Sequence, residues 1–283
     1  AGIHTFNGVF STIFSLPTLY KQNIMKKTPI LSCGGLFSNL KKKGYSTIYF
    51  TTHDGQFDNI EGFLKANDCE RVVSKDDYPS DKIKTTLGVP DDYMFEFSIP
   101  ILSNIKKPFV AVFMTASNHG PYYIPSYFSP HNKTDLKAQA VEYADYSLKK
   151  YIYMAKREKW FNNTLFVFIA DHGAAIDITY DMPLSYNHIP LLFYAPNIIK
   201  KDSVFKCPAG QIDVMPTIMG LLGFSYRNNT MGIDLLKEKR PYVFFTSDDK
   251  YGVIGNGMFL VVRNDKDESK YLYNYTIKDK YNW

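Results

Sequence analysis

Three nearly continuous apolar runs constrain this chain more than any other feature. They read PFVAVFMT at residues 108–115, LFVFIA at 165–170 and IPLLFYA at 189–195. Such runs, lacking the alternation of a half-exposed strand, fit strands covered on both faces, as in a parallel sheet between helical layers. STIYFT at 46–51 is β-branched and aromatic and predicts a further strand. Between the strands the apolar spacing turns helical. Residues 5–16 carry Phe6, Val9, Phe10, Ile13 and Phe14 on one side, and Pro17 stops the helix. Residues 36–43, closed by Gly44, then 59–67, 137–159 and 213–222, closed by Gly223, predict the other helices. After Pro241 the pattern changes to short strands at 242–246, 251–254, 258–263 and 271–275. The expected class is therefore α/β, a mostly parallel central sheet flanked by helices with a small antiparallel C-terminal addition. Residues 1–240 form the expected core, and 241–283 a subregion of the same domain.

Composition excludes several alternatives. The formal charge of +5 leans toward anionic substrates or an anionic membrane surface and is too small to argue for nucleic acid. Cys33, Cys69 and Cys207 contain no C-x-x-C pair, which argues against a structural zinc cluster or a disulfide framework. No stretch approaches the roughly 20 apolar residues that cross a bilayer.

The residues with chemistry cluster after predicted strands. Asp171-His172-Gly173 follow LFVFIA directly. Ligands of open α/β sheets bind beyond the carboxyl ends of strands, and a carboxylate beside an imidazole can serve one divalent metal. His119, in SNHGP, and His53, after STIYFT, stand at comparable positions. His119 suits phosphate contact or proton transfer, against a plain loop-ordering role. Thr5 opens a helix, where it is either a cap or a nucleophile beside a bound anion. Ser11 and Thr12 are the alternatives, both mid-helix. His188 precedes its strand, which in a parallel sheet puts it at the opposite end unless a long loop returns it. His131 sits in a polar loop and reads as solvated.

Several motifs together resemble the lipoteichoic-acid-synthase and phosphoglycerol-transferase branch of the sulfatase-like, alkaline-phosphatase superfamily. They are AGQIDVMPT at 209–217 with LLG at 221–223 and GIDLL at 232–236, Asp171-His172 after its strand, SNHGP at 117–121, YADYSL at 143–148 and the opening GIHTFNG at 2–8. The resemblance spans nearly the whole chain. It implies an alkaline-phosphatase-like fold, with Thr5 as nucleophile and metal ligand, Asp171 and His172 as further ligands, and His119 on the phosphoryl group or leaving oxygen. His53, Phe57, Asn59 and His188 are the implied substrate-binding positions. The implied ion is manganese, with zinc, magnesium or calcium as alternatives.

The implied reaction moves a phosphoglycerol- or phosphoethanolamine-type head group from a phospholipid to a glycan or polyol hydroxyl. The implied location is a bacterial cell membrane, outside the cytoplasm, reached through an upstream segment. Two departures stand out. The family's remaining acidic ligand lies on a strand before the nucleophile, so the chain reads as a soluble fragment lacking that strand. A Trp-Asn-Arg run that grips glycerol phosphate corresponds here to Phe57-Asp58-Asn59, without the arginine. The cysteine or serine motif C/S-x-P-S-R of true sulfatases is absent, which disfavours sulfate ester hydrolysis. A phosphodiesterase or phosphatase of the same fold is the second reading, and a non-catalytic binding domain the third.

Overall fold

The computed structural model describes residues 2–19, 22–174, 180–265 and 267–272. In chain order its regular elements are α1 (Thr5–Phe14), α2 (Leu36–Lys41), β1 (Ser46–Thr51), α3 (Ile60–Ala66), β2 (Arg71–Val73), α4 (Asp91–Ser103), β3 (Phe109–Met114), α5 (Leu136–Ala155), β4 (Phe166–Ile169), β5 (Leu191–Tyr194), α6 (Val214–Leu221), β6 (Tyr242–Thr246), β7 (Lys250–Gly255), β8 (Met258–Arg263) and β9 (Glu268–Leu272). Two compact units divide them. One is Phe37–Thr164, and the other takes the described residues of Ala1–Leu36 and Leu165–Trp283.

In the unit of Phe37–Thr164, β1 lies between β2 and β3 and runs parallel to both. It is buried from Thr47 onward, because strands cover both of its edges. Thr51 stands opposite Met114, so the loops leaving β1 and β3 emerge at the same end of the sheet. These loops carry His53 and His119. β3 is only half-buried along its length, where its apolar run predicts full burial. It has one strand partner among the described residues.

Helix α4 escapes a periodicity reading. Pro90 caps it and Pro100 sits inside it, which disguises the pattern. Its start is nonetheless well specified, since Asp91 and Asp92 place negative charge at the positive end of the helix dipole. Phe95 on α4 packs on Tyr151 of α5 and Phe113 of β3, with ring centroids 4.7 and 5.3 Å apart. Asp92 is buried and satisfied. It accepts from the Tyr127 hydroxyl at 2.8 Å, the Tyr143 hydroxyl and the Lys150 ammonium at 2.9 Å.

In the other unit, β4 and β5 pair with each other and run antiparallel, with Ile169 opposite Leu191. The apolar runs there predict parallel strands buried on both faces; the strands are half-buried instead. The reversal moves His188. A residue just before β5 stands at the end where β4 finishes, not at the opposite end. The C-terminal strands form a four-stranded antiparallel sheet in the order β6-β7-β8-β9. Phe245, Ile254, Phe259 and Val261 of that sheet pack on Met182 and Leu184. The expected strand over 271–275 is displaced toward the N-terminus as β9, and residues 273–275 lie outside the described residues. No helix among the described residues is long and apolar enough to cross a membrane.

The motif AGQIDVMPT supplies the anchor of this unit. Asp213 is fully buried and accepts from the backbone N–H groups of Gly210 at 2.8 Å and Ile233 at 3.0 Å. The Arg240 guanidinium closes a two-pronged pair on the same carboxylate. Removing one partner of a buried pair strands the other charge and costs about 3–5 kcal/mol. Asp213→Ala is therefore expected to destabilise the fold by about that amount in denaturant titrations. A double exchange of Asp213 and Arg240 to apolar residues is expected to cost less than Asp213→Ala alone.

Candidate active site

Thr5 is the first residue of α1, and His4, not Thr5, is the cap. The His4 carbonyl accepts from the N–H groups of Asn7 at 2.9 Å and Gly8 at 3.3 Å, and the Asn7 side chain accepts from the His4 N–H at 3.2 Å. The first turn itself holds no acidic residue, and the nearby carboxylates come from elsewhere in the chain, Asp248 lying 2.7 Å from His4 Nε2. Ser11 is fully buried and donates to the Leu16 carbonyl at 3.0 Å, which commits its hydroxyl to structure. Thr12 lies two turns further along the helix than Thr5.

The start of α1 sits directly on the Asp171 backbone. Gly8 allows this contact, because a Cβ placed on it would fall 2.5 Å from the Asp171 carbonyl oxygen and 2.6 Å from its Cα. The Gln211 side chain holds the same strand end. Its amide donates to the carbonyls of Ala170 at 3.1 Å and Asp171 at 2.7 Å. Gly173 fixes the other side. Its N–H donates to the Tyr186 carbonyl at 2.8 Å, and a Cβ there would meet the Ser185 carbonyl at 2.0 Å.

Within this frame the Asp171 carboxylate accepts from the His172 N–H at 2.9 Å. Its other oxygen lies 3.4 Å from His172 Nε2. Two donors bound about 2.0–2.2 Å from a tetrahedral ion are separated by roughly this distance. The His172 Nδ1–H donates to the Gly173 carbonyl at 2.7 Å, which leaves a lone pair on Nε2. A carboxylate and an imidazole so arranged suit a divalent cation of borderline hardness. Among the described residues no group of three or more His, Cys, Asp or Glu side chains is placed to hold an ion. A coordination shell would need further donors besides this pair.

His53 and His119, in the Phe37–Thr164 unit, repeat the same local device. His53 Nδ1–H donates to the Asp54 carbonyl at 3.0 Å, and His119 Nδ1–H donates to the Gly120 carbonyl at 2.6 Å. A carbonyl can only accept, so each ring carries its proton on Nδ1 and presents Nε2 as an acceptor. His119 is exposed, whereas His53 is buried. Burial lowers the His53 pKa below its ordinary value, against the opposing pull of the Asp54 carbonyl and carboxylate, so the ring is neutral at pH 7.

Phe57 is exposed and sets its ring edge-on to His53, with centroids 5.1 Å apart. Asn59 stands at the start of α3 in the left-handed conformation. His188 is exposed, at the β4 end that carries Asp171. His131 is fully exposed and pairs with Glu142 at 3.2 Å.

Asp91 has a role that the sequence reading missed. Its carboxylate accepts from the N–H groups of Ala116 at 2.8 Å and Ser117 at 3.1 Å, and the Ser117 hydroxyl accepts from the Asp91 N–H at 3.1 Å. It thereby fixes the start of the loop that carries His119. Burial pushes its pKa up to about 6, while the amide donors restrain the rise. The signal was present in Pro90-Asp91-Asp92, a helix start of proline followed by acids.

A sequence model described as Sulfatase matches residues 1–224. The chain belongs to the sulfatase family. Its relatives include lipoteichoic acid synthase 2 of Bacillus subtilis, 26% identical over 252 residues, covering 81% of this chain and 37% of that protein. Lipoteichoic acid synthase of Staphylococcus aureus is 27% identical over 200 residues, with 61% and 31% covered. The chain thus spans less than two fifths of the length of these relatives.

Among solved structures, an alkaline phosphatase superfamily protein from Vibrio parahaemolyticus superposes with a TM-score of 0.87 at 25% identity, covering 97% of this chain and 69% of that one. The lipoteichoic acid synthase LtaP of Listeria monocytogenes gives a TM-score of 0.78 at 21% identity, with 94% and 74% covered. The fold is that of the alkaline phosphatase superfamily, with parallel strands, flanking helices and a small antiparallel C-terminal sheet, as the apolar runs and motifs imply.

In this sulfatase-family chain, Gly8→Ala is expected to push α1 off the Asp171 backbone. Overpacking of this kind costs about 1–3 kcal/mol, readable by thermal melting. The His53 Hε1 resonance is expected to titrate below about 6.5. Because the folded pKa is the lower one, the unfolded chain binds protons first as pH falls, so the stability His53 contributes is lost below about pH 6.5. The stability difference between wild type and His53→Gln is expected to shrink across that window in denaturant titrations.

Proposed function

We propose that this chain carries the catalytic site of a metal-dependent transferase. It moves a phosphoglycerol- or phosphoethanolamine-type head group from a phospholipid to a glycan or polyol hydroxyl. The observation that carries the reading is the seating of the Thr5 helix start on Asp171, beside the Asp171–His172 donor pair at 3.4 Å. Relatives that are named lipoteichoic acid synthases support the substrate class. The absence of C/S-x-P-S-R supports phosphoryl transfer over sulfate ester hydrolysis.

Asp171, His172 and the Thr5 hydroxyl would hold the divalent ion, with manganese first and zinc, magnesium and calcium as alternatives. When bound, such an ion lowers the pKa of a hydroxyl and neutralises phosphoryl charge. Thr5 Oγ, ionised, bonds to phosphorus as the bond from phosphorus to the diacylglycerol oxygen breaks. His119, once protonated at Nε2 as well as Nδ1, would give its Nε2 proton to the departing oxygen and become neutral. An acceptor hydroxyl then attacks the phosphothreonine, gives its proton to His119 and releases Thr5. Neutral His53 offers its Nε2 lone pair to a head-group hydroxyl, which can donate, and not to the phosphoryl oxygens, which only accept. Phe57, Asn59 and His188 contact the head group. Without the arginine of the family's glycerol-phosphate grip, the head group is held less tightly at Phe57-Asp58-Asn59. The matching location is the bacterial cell membrane, outside the cytoplasm.

Thr5→Ala is expected to reduce head-group release from phosphatidylglycerol by at least about a thousandfold. Thr12→Ala is expected to leave turnover within a few-fold of wild type. Full turnover in the Thr5 variant overturns the reading. Product formed at the same rate with and without added glycan would make the enzyme a hydrolase.

A further inference from the structure

The segment after β5 reads NIIKKDSVFK at residues 197–206. Val204 is 85% exposed, Phe205 64% and Ile198 57%. All residues from 200 to 206 are exposed. Single apolar residues on a surface are ordinary, but three large ones interleaved with Lys200, Lys201 and Lys206 are not. Among the described residues none of these lysines forms an ion pair, and Phe205 makes no ring contact. Lys200 Nζ donates to the Pro196 carbonyl at 3.4 Å. Asp202 is the one acid in the segment.

The combination has a matching partner chemistry. Aliphatic and aromatic side chains enter the boundary between head groups and acyl chains, while lysine ammonium groups stay at the phosphate level on their long stems. Anionic lipid attracts each such lysine, and the chain's charge of +5 adds to the attraction. A folded protein partner would need complementary acidic side chains around an apolar socket, and nothing in the segment selects that over a lipid surface.

We propose that residues 198–206 dock on a bilayer surface rich in anionic phospholipid. The path of the chain makes this useful. Tyr194 pairs with Phe166 at the start of β4, whereas Gln211 holds the Asp171 carbonyl at its end. The segment therefore runs back toward the Asp171–His172 end of the strand pair, and six chain steps from Phe205 to Gln211 span at most about 21 Å. Docking through Val204 and Phe205 keeps the donor pair near the lipid surface. Support for this surface is independent of the transfer reading, since it comes from exposure and charge alone.

Co-sedimentation of the 283-residue chain with phosphatidylcholine vesicles, with and without phosphatidylglycerol, tests it. Binding is expected on the anionic vesicles only and is expected to weaken with added salt. Val204→Ser with Phe205→Ser is expected to weaken it about tenfold, and separately Lys200→Glu, Lys201→Glu and Lys206→Glu together at least about a hundredfold, both with unchanged thermal melting. Lys106→Glu, Lys107→Glu and Lys149→Glu together, an equal charge change at exposed sites elsewhere, are expected to retain most of it.

Equal binding to neutral vesicles, no binding, or equal losses from both lysine sets would overturn the proposal. So would a dimer seen by light scattering that dissociates on exchange of Val204 and Phe205. No turnover is read, so a negative result removes the docking surface and leaves the Thr5 experiment to judge the transfer reading.

Discussion

A helix can rest on the backbone at a strand end only where it has no side chain in the way. Gly8 meets that condition, and the arrangement of the candidate site follows from it. Because a Cβ on Gly8 would fall 2.5 Å from the Asp171 carbonyl oxygen, only a glycine lets the first turn of α1 rest against the residue that supplies the carboxylate of the donor pair. Thr5 and Asp171, far apart in sequence, become neighbours on one rigid frame. Gln211 reinforces that frame by binding the Ala170 and Asp171 carbonyls, and Gly173 locks the following turn.

The motifs that carry the family resemblance are mostly the frame and not the chemistry. In AGQIDVMPT, Gln211 holds the strand end and Asp213 binds two backbone amides and Arg240. Neither side chain has a chemical role in the proposed mechanism. A buried carboxylate with this many donors tolerates little substitution, since any change leaves buried polar groups unpaired. The chemistry needs fewer residues, repeated in form. His53, His119 and His172 each donate Nδ1–H to the carbonyl of the next residue, so each offers Nε2 outward. That shared geometry makes three strand-end histidines interchangeable in kind but distinct in environment, one buried and neutral and one exposed.

Much of this was legible in the chain. β1, β6 and β8 begin and end where their β-branched and aromatic runs do. α1 ends at Phe14 with Ser15 as its left-handed cap, close to the stop expected from Pro17. Helix α4 was not legible, because Pro100 interrupts its periodicity. The antiparallel pairing of β4 and β5 was not legible either, since an apolar run has no direction. Asp91 and Gly8 were hidden for a related reason: each acts through a residue distant in sequence, Ser117 in one case and Asp171 in the other.

The sequence by itself determined the layers, the places where chemistry follows a strand, and the family. Hydrophobic period and motif spacing are local properties, and they can be read without coordinates. Tertiary structure alone decided the direction of β5, and with it the end of the strand pair at which His188 stands. It also decided that Thr5 opens its helix behind a His4 cap, and that Asp171 and His172 present donors 3.4 Å apart. Those facts rest on strand direction, cap geometry and backbone torsions, which a hydrophobic period does not encode.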